Sequence, residues 1–199
     1  MRVRLLSILV VALALVAGPA SAQSVTGTAK VGVNFSKVDI TEDGEDFSSG
    51  WKPGLAIGAG VDVPITQLFS FAPEVLYTMK GGKGGDFGTD ENKLKLDFVQ
   101  IPILFKANFS GGSARPYVTF GPGIGFTVKA KIEDGDVEED IKDDVEKVDF
   151  SGIVGVGVQF GRGMVEARYD HGFRDLDKDP NSEAKPKTFS ILFGVSFGG

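Results

Sequence analysis

The side chains able to do chemistry in this chain fall into three groups: one histidine, a set of charged residues at alternating positions, and one acidic loop. His171 is the only histidine of the 199 residues and directly follows Asp170. A His and an Asp make a general-base unit when their side chains meet. Here they are consecutive in an alternating run, so the two side chains point to opposite faces, and no nucleophile motif accompanies them. No catalytic residue is assigned, and an interfacial histidine is the expected role.

The second group is Lys30, Lys52, Asp62, Glu74, Lys80, Gln100, Lys106, Glu166, Arg168 and Asp170, all on the polar side of alternating runs. If that side lines a narrow interior, the charges must pair, because an unpaired buried charge costs several kcal/mol. A structural polar network and a proton or ion path are the two readings. The network is expected, since a small barrel is filled by its own side chains. Its candidate residues are Glu74, Lys106, Glu166 and Arg168, with Glu74 meeting Lys106 across neighbouring strands and Glu166 and Arg168 each near an opposite charge.

The third group lies between Glu133 and Glu146, where nine carboxylates face Lys142 alone. Divalent-cation binding, bridging to anionic lipopolysaccharide, or docking of a basic partner would use such a loop. Asp134-Gly135-Asp136 begins like a calcium loop, but the following spacing departs from the EF-hand pattern. A solvated loop is the expectation, with no metal or cofactor assigned. Nor do Gly121-Pro122-Gly123 and Gly155-Val156-Gly157 form phosphate loops, because each sits inside a strand-like run with no helix after it.

The elements that must position these groups are strands. In 69–80 the odd positions are almost all large and apolar while Ser70, Glu74, Thr78 and Lys80 occupy even ones, Leu76 being the large exception. Similar alternation predicts strands over 25–36, 51–63, 94–109, 115–131, 148–160, 164–174 and 187–197. Long polar loops (37–50, 81–93, 132–147, 175–186) alternate with short turns (64–68, 110–113, 161–163). Within 94–109 the first half prefers the opposite parity to the second, which predicts a bulge, with Pro102 as a place of irregular pairing.

Residues 1–22 read as a secretory signal peptide: Arg2 and Arg4, an apolar run from Leu5 to Ala17, and a small-residue cleavage site ending at Ala22. Removing them leaves 19 basic against 27 acidic residues, a net charge of −8. Such an acidic chain is a poor nucleic-acid ligand. No cysteine is present, so neither disulfides nor a lipoprotein anchor contribute. After Ala22 no apolar run is long enough for a spanning helix, so a membrane would be crossed by strands.

Eight strands, with loops long on one edge and short on the other, predict an all-β fold: an eight-stranded antiparallel up-and-down transmembrane β-barrel over 23–199. Its aromatic girdles would be Phe35, Trp51, Phe69, Phe71, Phe109, Phe126, Phe173, Phe189 and Phe197. The rival is a soluble periplasmic ligand-binding barrel with apolar interior and polar exterior. Glycines on the polar face and too many bulky residues for a narrow lumen favour the membrane form.

Four segments carry a resemblance: Pro73 through Gly81, Leu96 through Lys106, Arg115 through Pro122 and Glu166 through Phe173. In order and spacing they resemble the PorT-like outer-membrane β-barrel family. The resemblance implies an eight-stranded barrel in a bacterial outer membrane, in a family mostly without assigned activity whose namesake is linked to protein secretion. Family members usually end on an aromatic residue read by the barrel-insertion machinery; here Phe197 is followed by Gly198-Gly199. The expected function is a non-enzymatic surface barrel, structural, adhesive or partner-binding through its loops, in contact with outer-membrane lipid and lipopolysaccharide. Its alternatives are an accessory of transport or secretion and an outer-membrane hydrolase.

Overall fold

A computed structural model describes residues 25–42, 45–84, 93–134, 137–141, 145–173 and 182–198; the expected signal peptide, 1–22, lies outside them. Within these residues the eight alternating runs form antiparallel strands, and two further short strands lie in the stretches 37–50 and 132–147 that read as polar loops, ten in all. They are β1 (Thr26–Glu42), β2 (Glu45–Ser48), β3 (Lys52–Pro64), β4 (Phe69–Lys83), β5 (Lys93–Asn108), β6 (Ala114–Asp134), β7 (Val137–Asp140), β8 (Val148–Phe160), β9 (Gly163–Gly172) and β10 (Ser182–Phe197). Eight of these form the wall, in the order β10-β9-β8-β6-β5-β4-β3-β1, and β1 pairs with β10 over sixteen residues to close it. Closure leaves no open edge in the wall. The short β2 and β7 fold back on the ends of β1 and β6.

Polarity follows the pleat. Along β1 the buried Lys30, Asn34 and Ser36 alternate with Val31, Val33 and Phe35, which face out. Val31, Leu55, Ile57 and Val156 each leave more than half their surface uncovered. A continuous exterior of this kind needs lipid to cover it. The inverted, soluble barrel is therefore overturned. All nine expected girdle aromatics lie on the outer surface, with Phe71 partly covered by Phe105 at a ring-centroid distance of 5.8 Å.

The bulge is in a different strand from the one the sequence indicates. Asp97 pairs with Lys129 and Phe98 with Thr127, so the extra residue is Val128 on β6, opposite the expected strand. Beyond it Ala130 turns into the lumen, where simple alternation would place it outside. β5 keeps a single parity, so Leu96 and Phe98 face in with Gln100 and Lys106 and pack beside Ala130. Pro102 removes ladder pairs between β4 and β5 without shifting their register, which resumes unchanged at Leu76 and Gln100.

Nine to eleven residues suffice to cross the membrane at a tilt, whereas β1 has 17 residues and β6 has 21. The surplus lies at the loop end. There β2-β1-β10 forms one projecting tongue of sheet and β4-β5-β6-β7 another. Val38 from the first packs with Leu96, Phe98 and Ala130 from the second, and Leu94, Ile141 and Val145 lie against them. This apolar cluster caps the lumen.

Candidate functional site

Inside the barrel, Lys30 of β1 lies between Gly58 of β3 and Gly194 of β10 in register. With no side chain on either side, its stem extends across the lumen. Its Nζ donates to Glu74 Oε1 at 2.6 Å and to Glu166 Oε2 at 2.7 Å. Arg168 completes the group: Nη1 and Nη2 donate to Glu74 at 2.8 and 3.1 Å, and Nε and Nη2 to Glu166 Oε1 at 2.9 and 2.8 Å. Two cations thus serve two carboxylates, and the cluster is neutral. Thr119 Oγ1 and the Tyr117 hydroxyl donate to Glu166 at 3.0 and 3.3 Å. Room for this comes from glycine: a Cβ on Gly155 would sit 2.8 Å from Glu166 Oε1 and 2.5 Å from Thr119 Oγ1.

Of the four candidates, three meet in this cluster and Lys106 does not. Ladder register explains it. Lys106 lies opposite Ser70, and Glu74 is four residues further along β4, about 13 Å away at strand rise. Lys106 Nζ instead donates to Asp62 Oδ2 at 2.7 Å and stands 4.5 Å from the Tyr117 ring centre. Toward the loop end a third group forms, in which Lys80 Nζ and Gln100 Nε2 reach Asp170 Oδ2 at 2.8 and 2.5 Å. Lys52 Nζ donates to the Lys80 carbonyl at 2.9 Å.

Between these layers the lumen is apolar, a feature that reading only the polar face misses. Leu76, Leu104, Ile153 and Leu192 are all buried there, Leu104 and Ile153 packing with Ala72. Their parity was the available signal: each shares its strand's inward face with polar residues. Gly58 leaves space for Leu76, whose Cδ2 would be 2.6 Å from an added Cβ.

At the short-turn end the lumen opens into a polar cup of about 440 Å³ whose lining includes Asp62, Lys106 and Arg115. A void of about 10 Å³, room for a single water, lies between this cup and the Lys30 cluster.

The model of the outer membrane protein beta-barrel domain family matches residues 21–178. The chain belongs to that family. Among solved structures, Neisserial surface protein A is 11% identical over 88% of this chain and 100% of its own, with a TM-score of 0.50. OprG from Pseudomonas aeruginosa is 11% identical over 87% and 96%, TM-score 0.50. Ail, the attachment invasion locus protein of Yersinia pestis, is 16% identical over 86% and 98%, TM-score 0.45. Likeness at these identities concerns the fold. No curated protein matches the sequence closely enough to count as a relative.

In this outer-membrane barrel His171 sits on the outer surface, its ring 6.3 Å from Tyr169 and 5.5 Å from Phe173. Asp170 points inward to Lys80. The two side chains do not meet, as alternation requires. Glu133 of the acidic loop forms an ion pair with Lys95, and β7 folds that loop back along β6; residues 135–136 and 142–144 lie outside the described part. Among the described residues no three carboxylates or histidines converge as a metal site. Chemically, the lumen balances Lys30 and Arg168 against Glu74 and Glu166, Lys106 against Asp62 and Lys80 against Asp170, with Lys52 held by a backbone carbonyl, between an apolar cap and a polar cup.

Proposed function

We propose that this barrel is a non-enzymatic anchor for a rigid extracellular platform, structural, adhesive or partner-binding, with a lumen closed to solutes. The observation that carries the reading is the surplus of wall: strands of up to 21 residues continue past the membrane and are clamped together over the lumen by Val38, Leu96, Phe98 and Ala130. A channel needs no such cap. A surface that must hold its shape against a partner gains from one.

Charge supports the same orientation. Lys37 and Lys187 stand on the outer face just beyond Phe35 and Phe189, and Lys95 and Lys129 take the corresponding place on β5 and β6. Lys37 and Lys187 share Asp39, and Lys95 pairs with Glu133, so a ring of mixed charge stands above the aromatic belt, suited to the polar headgroup zone of the outer leaflet. In this arrangement residues 1–22 direct export and are cut after Ala22, the termini and short turns face the periplasm, and the insertion machinery receives the Phe197 strand. The four family-like segments support placement among the PorT-like barrels.

The test is to replace residues 39–48 and 131–146 by short turns, so that the wall ends near the ring of lysines. The expected result is a folded barrel, still shifted by heating in SDS gels, on cells that lose attachment to surfaces or partners. Attachment unchanged in the trimmed form would overturn the platform reading.

A further inference from the structure

The cup at the short-turn end is built by the whole ring of strands, and its charge is out of keeping with the chain. The full sequence carries a net charge of −6, yet the cup has two cations, Lys106 and Arg115, against the single carboxylate of Asp62. Lys106 is neutralised by Asp62 at 2.7 Å. Arg115 makes no ion pair among the described residues, and its side chain is exposed at the rim, beside Gln159 in the ladder. Elsewhere in the lining Thr28 and Ser70 add hydroxyls, and Gln159 beside Arg115 adds an amide. The volume, about 440 Å³, is that of a small-molecule pocket. The cup is blind, because beyond the Lys106–Asp62 pair only a water-sized void separates it from the Glu74–Arg168 cluster.

We infer that this cup is a binding site, entered only from the short-turn side, for a small anion bearing a phosphate or carboxylate together with hydroxyl groups. The planar guanidinium of Arg115 presents paired donors that fit either oxyanion. The hydroxyls and amide of the lining meet the rest of the ligand, and the Lys106–Asp62 pair forms a polar floor. A cation is disfavoured by the net positive charge that Arg115 gives the lining, and an apolar ligand would leave the lining hydrogen-bonding groups unpaired. The same chemistry is offered by a free solute and by the headgroup of an inner-leaflet phospholipid.

The probe is glycerol phosphate, added to the barrel from Gln23 onward in a zwitterionic detergent without phospholipid and followed by amide NMR shifts. The expected result is saturable shifts at Thr28, Ser70, Arg115 and Gln159. Arg115→Gln should weaken binding about tenfold, the size of effect of losing a charge-assisted contact. Arg162→Gln, on the neighbouring turn outside the lining, should leave it unchanged. Repeating the titration in nanodiscs separates the sources: weaker apparent binding in phosphatidylglycerol than in phosphatidylcholine supports the site with the headgroup as its occupant, and equal binding supports it with a free solute. No saturable shift at these amides up to about 50 mM, or equal affinity in Arg115→Gln, would overturn the inference. Loss of binding in Arg162→Gln alone would do the same, by placing the anion on the turn.

Discussion

Arg168 and Glu74, ninety-four residues apart in sequence, meet across the lumen through two parallel hydrogen bonds, Nη1 to Oε2 at 2.8 Å and Nη2 to Oε1 at 3.1 Å. β9 and β4 are on different parts of the wall, with several strands between them either way round. The bidentate geometry is the strong form of a carboxylate pair, and it ties together strands that share no ladder. Glu166 and Lys30 close the same cluster, so a change to any one member leaves a partner short.

Glu74→Gln and Glu166→Gln should each destabilise the barrel by about 3–5 kcal/mol, since removing one partner strands a buried charge. Urea unfolding in lipid vesicles reads this directly. Replacing Lys106, which pairs with Asp62 and lies over the Tyr117 ring near the open cup, should cost less than either. Wild-type stability in both Gln variants would show that the cluster does not hold the barrel together.

Phe98 is almost wholly buried at the centre of the cap, with Lys80 Nζ 5.5 Å from its ring centre. Phe98→Ala should cost about 3–5 kcal/mol by leaving a cavity. Amide exchange at Leu96 and Ala130 should rise while that of the membrane-level ladder stays put. Uniform loosening of the whole wall would contradict a cap that acts locally.

The platform has its own pH response. Burial alone would raise the Asp39 carboxyl, but hydrogen bonds from Lys187, Ser48 and Lys37 outweigh it and hold the group well below the usual carboxylate range. A depressed folded value means that the stabilisation is present above the unfolded pKa, near 3.9, and is lost as pH falls below it. The pair is partly exposed, so Asp39→Asn should cost only about 0.2–1 kcal/mol at neutral pH. That cost should fade on acidification below about pH 4. A cost that persists there would assign the effect to shape and not to charge.

How far the sequence could be read differs between wall and lumen. Alternation depends on nearest neighbours along one strand, so eight strands, their outward face and the inward place of Glu74, Glu166 and Arg168 were all legible. Pairing inside the lumen depends on register between strands, which no single strand encodes. Glu74 and Lys106 lie on adjacent strands with the right signs, yet the β4–β5 register puts Lys106 beside Ser70. The bulge shows the same limit. The apolar Leu96 and Phe98 read as a change of parity within 94–109, but β5 keeps one inward face from Leu96 to Lys106, and the extra residue, Val128, belongs to the partner strand. The cap was hidden for a third reason: Val38 lies in what reads as a polar loop, and only the length of β1 brings it over Phe98.

The most direct test of the closed-barrel account is electrical. The refolded wild-type protein should insert into planar bilayers without producing discrete conductance steps, because the Lys30–Glu74–Glu166–Arg168 cluster fills the middle of the lumen and the apolar cap covers its outer mouth. Stable, reproducible open steps from the wild type would contradict it and make transport the leading function.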